Sequence, residues 1–312
     1  MHSQLFKNIE EIPSHNGLVI TQGTFDGVHL GHITVLKQVV KTAKSLNKKS
    51  LLLTFHPHPR LIINPDDQSL RTLQSIEEKA KDVFQAGIDY MLVLPFNAEI
   101  AEKSPEEFVK DILVDGLHIH TIIVGYDHRF GKNRSGGFID LQHLGNTYQF
   151  QVKEIEANII SEIAVSSSRI RKALLDNRLQ EANQLLGKPY VLTGMVESGK
   201  KLGRTIGFPT ANLALNDPYK LIPSHGVYAG YTIIEGIQHK MVCNIGTQPT
   251  VEGNDVKIEA HILDFSGDIY HQTISLHLVQ FLRPVQRFNS LDELVNQIKI
   301  DVQQASETIQ IA

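Results

Sequence analysis

Cysteine is almost absent: Cys243 is the single one in 312 residues. No disulfide and no thiolate metal cluster can form within one chain, and one thiol in a chain of this size fits a reducing compartment. No run of about 18 apolar residues occurs, which leaves no candidate for a spanning helix. The opening MHSQLFKNIEEIP lacks an apolar core and carries early acids, so it does not read as a signal peptide. Cytoplasmic location, no membrane and a monomer are the default expectations. A basic excess is missing too. The net charge of −4 argues against a nucleic-acid binder. The lysines between Lys37 and Lys49 fall at helix-like spacing and read as one solvated face. Repeats and low-complexity stretches are also lacking. What is present is ordinary globular composition, 41% apolar and 21% charged, in a chain long enough for two domains.

The first ~185 residues alternate short apolar runs with amphipathic segments. The runs at 18–21, 50–55, 90–94 and 121–125 read as buried strands. Helix starts stand between them. Ser104-Pro105-Glu106-Glu107 offers an N-cap, a proline at the first helical position and a glutamate three residues after the cap. Ser75 with Glu77 and Glu78 opens another helix, which Gly87 closes. Strict alternation implies a parallel sheet covered by helices, with ligands beyond the carboxyl ends of its strands. The last ~125 residues are instead β-rich, with turns between short strands, and predict an antiparallel barrel. A single helix is expected after Ser290, where Ser290 and Glu293 have capping-box spacing. The regime changes near Gly187-Lys188-Pro189, which divides the chain into 1–186 and 187–312.

The loop after the first strand runs Gly23-Thr24-Phe25-Asp26-Gly27-Val28-His29-Leu30-Gly31-His32 into a helix. Glycines before a helix N-terminus make an anion pocket, because unpaired backbone N–H groups point at the ligand. His29 and His32 can meet one bound group and stabilise charge on a departing pyrophosphate. Gly31 would let a phosphate approach the backbone. The plainer alternative is two ordinary loop histidines. A zinc site using His56 and His58 as well lacks both a carboxylate and a His-Glu-x-x-His pattern. Ser166-Ser167-Ser168-Arg169-Ile170-Arg171 starts a later helix and offers a second anion clamp, although such a segment is more often just a cap.

In the second half, Gly203 and Gly207 suggest a flap whose Lys200, Lys201 and Arg204 can meet phosphates. Thr210 and Asn212, two apart on an extended chain, point the same way and offer hard oxygens of the kind Mg²⁺ accepts. A plain surface turn is the alternative. Glu259 lies between apolar neighbours and could deprotonate a hydroxyl, or simply pair with Lys257.

The His-x-Gly-His loop and the Ser-Ser-Ser-Arg-Ile-Arg segment resemble the nucleotidyltransferase superfamily. GTFDGVHLGH, FHPHP and VGYDHRFGKNRSGG resemble the FMN adenylyltransferase half of bacterial bifunctional FAD synthetases. His56 and His128 stand where an acid and an aromatic residue are expected. Gly207-Phe208-Pro209-Thr210-Ala211-Asn212 resembles the signature of riboflavin kinase, and the likeness continues through NIGTQPT and FLRPVQRFNSLDELVNQI. The resemblance implies a Rossmann-like nucleotidyltransferase domain and a β-barrel kinase domain, with riboflavin, FMN and ATP as substrates. Gly23, Phe25, Gly31, Ser167 and Arg171 would then bind ATP in the first half, with Gly203 and Gly207 doing so in the second. Pro57, His58, Asp127 and Arg283 would contact flavin, Thr210 and Asn212 would hold Mg²⁺, and Glu259 would act on the ribityl 5′-hydroxyl. An adenylyltransferase for another substrate and a silent flavin carrier are the alternatives.

Overall fold

The computed structural model describes residues 3–310 apart from 14, 67–68, 126–127, 156–164, 199–202, 204–205 and 251–252; side chains at 248–250 and 253–255 are also left aside. The chain forms two compact units, Met1–Ser167 and Ser168–Ala312.

The first unit holds a parallel sheet of β1 (Gln4–Phe6), β2 (Leu18–Gln22), β3 (Lys49–His56), β4 (Tyr90–Pro95), β5 (Ile119–Gly125) and β6 (Gln151–Ile155). Their order is β1-β4-β3-β2-β5-β6. The apolar runs expected as strands form the four central ones. They can be continuous because alternate residues feed different cores. Leu18, Ile20, Leu51, Leu53, Leu92 and Leu94 pack into one cluster with Phe108, Leu113 and Leu141. Val19, Leu52, Met91 and Val93 pack into the other with Leu36, Val39 and Val83. Helices α1 (Leu30–Ser45) and α3 (Ile76–Gln85) supply the second face. The short α2 (Pro59–Ile63) and α4 (Ala98–Glu102) lie between strands, and α6 (Phe138–Tyr148) helps to cover the first face. Both expected capping boxes close, Ser75 with Glu78 and Ser104 with Glu107. The latter starts α5 (Pro105–Phe108), which continues in wider π-helical turns over Val109–Gly116. The chain moves outward through β3 and β4, then returns to the far side of β2 at β5. The strand order therefore reverses beside β2, where a ligand crevice is expected.

The second unit opens with α7 (Ser167–Leu175, whose first residue closes the first unit) and α8 (Leu179–Leu186). Asn183 on α8 donates to the Leu278 carbonyl at 2.9 Å and accepts the Tyr190 amide at 2.8 Å. These bonds tie α8 to the barrel. Strands β7 (Tyr190–Glu197), β8 (Ala211–Leu215), β9 (Gly226–Ile234), β10 (Ile237–Thr250), β11 (Gly253–Ile262) and β12 (Thr273–Arg283) close a barrel in the order β10-β11-β8-β7-β12-β9. All its pairings are antiparallel. The last helix, α9, spans Leu291–Thr308. Ser290 caps it by accepting the Glu293 amide at 3.2 Å, but the Glu293 carboxylate takes the Asn289 amide at 2.9 Å, so the expected reciprocal box is displaced by one residue.

Candidate active sites

In the first unit the Gly23–His32 loop leaves the central strand at this reversal. The Gly23 amide still donates to the Leu53 carbonyl at 3.0 Å, and a Cβ on Gly23 would press on the Phe25 ring at 3.1 Å. Phe25, Gly27 and Val28 then all take positive φ, at 45°, 93° and 38°. Two of these are non-glycine residues in a costly conformation, a pattern that concentrates at functional loops. Several bonds hold them there. The buried Asp26 carboxylate accepts the Leu73 amide at 2.9 and 3.1 Å, while its own carbonyl accepts the Ser167 hydroxyl at 2.8 Å. The Thr24 carbonyl accepts both Thr54 Oγ1 at 3.2 Å and the buried Lys79 ammonium at 2.6 Å.

His29 is the N-cap of α1, and its Nδ1 accepts the His32 amide at 3.3 Å. That bond leaves Nε2 to carry the proton of the neutral ring. The two imidazoles stack 3.6 Å apart at 15°, and Phe25 lies 4.7 Å from His32 on a tilted ring plane. Burial, followed by the neighbouring His29 and Lys79, holds His32 well below its ordinary 6.5. Its Nδ1 is buried without a hydrogen-bond partner among the described residues. The pair thus presents neutral imidazoles, able to donate N–H groups to an anion, at the helix start that includes Gly31.

Pro57 and His58 follow β3, after a cis His56–Pro57 bond. His58 caps α2 by accepting the Arg60 amide at 3.2 Å. Asp127 lies outside the described residues. Ser167 meets the Gly23–His32 loop through the Asp26 carbonyl, whereas Arg171 belongs to the second unit. Asp26 and Lys79 were not singled out from the sequence. The signal for Lys79 was a lysine placed among Ile76, Ala80 and Val83 on the apolar stripe of α3.

The second unit has a cavity of about 1130 Å³ on the barrel wall. One register row runs across all six strands to it. Glu197 pairs with Asn212, Asn212 with Glu259, Glu259 with Asn244, Asn244 with Val227, and Val227 with Arg283. Directly opposed residues share a face, and all six line the cavity. The last step crosses an irregularity in β12 between Phe281 and Arg283, which brings Arg283 rather than Leu282 opposite Val227. Residues one register along, Cys243 and Ala260, are buried on the other face. Burial, and then the Glu259 charge, pushes the Cys243 thiol up to about 12.

Thr210 and Gly203 also line the cavity; Gly207, with φ of 86°, does not border it. Lys200, Lys201 and Arg204 lie outside the described residues. The Gly203 carbonyl accepts the Phe208 amide at 2.8 Å, and a Cβ there would collide with the Phe208 carbonyl. Opposite, His261 Nδ1 bonds the Pro209 carbonyl at 2.8 Å, and Phe208 meets the His261 ring edge-on at 5.4 Å. The segment leading to Thr210 and Asn212 is thereby fixed from two sides. Glu197, Asn244, His261 and Asp301 are cavity residues that the sequence reading missed.

An α/β unit with a phosphate-type helix-start loop, followed by a barrel with a polar row in a cavity, defines a two-site transferase acting on phosphate groups. Residues 11–169 match the family model for FAD synthetase, and residues 186–309 match that for riboflavin kinase. Relatives named bifunctional riboflavin kinase/FMN adenylyltransferase include one from Listeria monocytogenes, 38% identical over 91% of this chain and 90% of its own. Another, from Escherichia coli, is 37% identical over 96% and 95%. A solved structure described as a macrolide-efflux protein from Streptococcus pneumoniae superposes with a TM-score of 0.85 at 28% identity, over 99% of this chain and 100% of that one. Among the residues described here no helix is long and apolar enough to cross a membrane. The chain belongs to the bifunctional riboflavin kinase/FMN adenylyltransferase family. It phosphorylates riboflavin to FMN and adenylylates FMN to FAD.

Proposed function

We propose that residues 1–186 carry adenylyl transfer and residues 187–312 carry riboflavin phosphorylation. In the second site Glu259 takes the proton of the ribityl 5′-hydroxyl as that oxygen attacks the terminal phosphate of ATP. Thr210 and Asn212 hold Mg²⁺, which neutralises charge on the nucleotide phosphates. Their fit to a hard cation is supported by oxygen side chains that face the cavity and bond no other described residue. Gly203 and Gly207 border the nucleotide, and Arg283 contacts the flavin. In the first site the FMN phosphate is already ionised, so alignment and charge neutralisation suffice. Gly23, Phe25, Gly31 and Ser167 hold ATP there, while Pro57, His58 and Asp127 hold the flavin. His29 and His32 stabilise the departing pyrophosphate, forming no covalent intermediate and binding no zinc. The buried single thiol fits a cytoplasmic enzyme, and a monomer without nucleic-acid or membrane partners is the simplest working form.

The observation that carries this reading is the Asn212–Glu259 pair, a hard oxygen donor beside a carboxylate in one cavity. Purified Glu259→Ala should make no FMN from riboflavin, ATP and Mg²⁺, yet still make FAD from supplied FMN. Loss of both activities in a folded variant would contradict the division of labour.

A further inference from the structure

Arg283 is not free to turn in its cavity. Its Nε donates to both carboxylate oxygens of Asp301, at 2.9 and 3.2 Å, and Nη2 donates to Oδ2 at 2.8 Å. Nη1 donates to the Pro284 carbonyl at 3.2 Å, and the guanidinium lies 5.8 Å from the Phe288 ring centre. Asp301 is 2% exposed, and its only other described partner is Gln297, whose amide donates to Oδ1 at 3.0 Å. A buried carboxylate is costly unless its partner geometry is good, and a two-point guanidinium fork supplies that geometry. Leu291, Leu294, Ile298 and Asp301 recur at helical spacing along α9, and all four border the cavity. The polar row on the barrel and the wall on α9 thus meet at one ion pair.

We propose that Asp301 is a positioning residue for the kinase reaction, fixing the Arg283 guanidinium at the flavin end of the cavity. This rests on the reading that Arg283 contacts the flavin substrate. The β12 irregularity brings Arg283 into the row, and Asp301 then chooses which way its fork faces. Asparagine at 301 keeps the shape but removes the charge that holds two N–H groups at once, so the guanidinium turns and riboflavin loses an oriented partner. A displacement of about 1 Å is enough to cost activity by two orders of magnitude.

The test is a double-mutant cycle on the full-length enzyme, reading kcat and the riboflavin KM of FMN formation for Arg283→Ala, Asp301→Asn and the pair. The expected result is a loss of at least about tenfold in kcat/KM for each single variant, with the pair no worse than Arg283→Ala alone. If the losses multiply, or if Asp301→Asn matches the parent while Arg283→Ala is impaired, Asp301 does not act through Arg283. If Arg283→Ala itself matches the parent, the flavin-contact reading fails first. Should Asp301→Asn not fold, Arg283→Lys serves instead, because it keeps the charge without the fork. A raised riboflavin KM from that variant supports the proposal, and parental kinetics overturn it.

Discussion

The rings of His29 and His32 stack 3.6 Å apart, and the first accepts the backbone amide of the second through Nδ1. One imidazole therefore shapes the helix start through its Nδ1. Replacing either ring with alanine should lower FAD formation from FMN by about 10²–10³, the usual cost of one donor to a developing charge. FMN formation in the same preparation should be unchanged. Separating flavins after incubation with ATP reads both steps at once.

Stability should report the same pair through pH. Burial, then His29 and Lys79, depress His32 well below 6.5, so the folded chain refuses a proton that the unfolded chain accepts near that pH. The unfolded state binds more protons there, so the contribution of His32 is complete above about 6.5 and is lost as pH falls below it. Thermal unfolding of the parent and of His32→Gln should therefore converge as pH drops from 7 toward 5, in steps of about half a unit. Parallel curves would refute the assignment.

The strained Gly23–His32 loop should depend on Asp26. Asp26→Ala removes the carboxylate that accepts the Leu73 amide twice and should cost about 1–3 kcal/mol. Ser167→Ala removes only the hydroxyl bond to the Asp26 carbonyl and should cost about 1 kcal/mol, with a raised ATP KM for FAD formation. Denaturant titration and initial rates check both.

The Cys243 thiol should be inert in the native protein. It is fully buried and pushed up to about 12, so almost none is thiolate at neutral pH. A chromogenic disulfide reagent should titrate no thiol before denaturation and one per chain after it.

The sheet and the barrel were both legible in the sequence, because a strand buried on two faces is a continuous apolar run. Edge strands carry no such mark. β1 and β6, of sequence QLF and QVKEI, are largely exposed and were not anticipated. The His29–His32 loop and the Thr210–Asn212 segment announced themselves by residue type and spacing. Lys79 did not, being 55 residues from its partner Thr24 on an otherwise ordinary helix. Asp301 was hidden in the same way, a carboxylate on the buried stripe of α9 whose partner is 18 residues back. Glu197 and Asn244 became visible only when register set them beside Asn212 and Glu259.

A barrel closed through six strands has no loose edge on which to absorb an error of alignment. Because the cavity-lining side chains form a single row around that wall, inserting one residue within any of those strands turns one of them to the opposite face. Length changes should accordingly be tolerated in the turns, for example at Glu235-Gly236 between β9 and β10, and be ruinous a few residues away. Where this chain can grow or shrink over evolution is thus governed by the same arithmetic that assembles its cavity row.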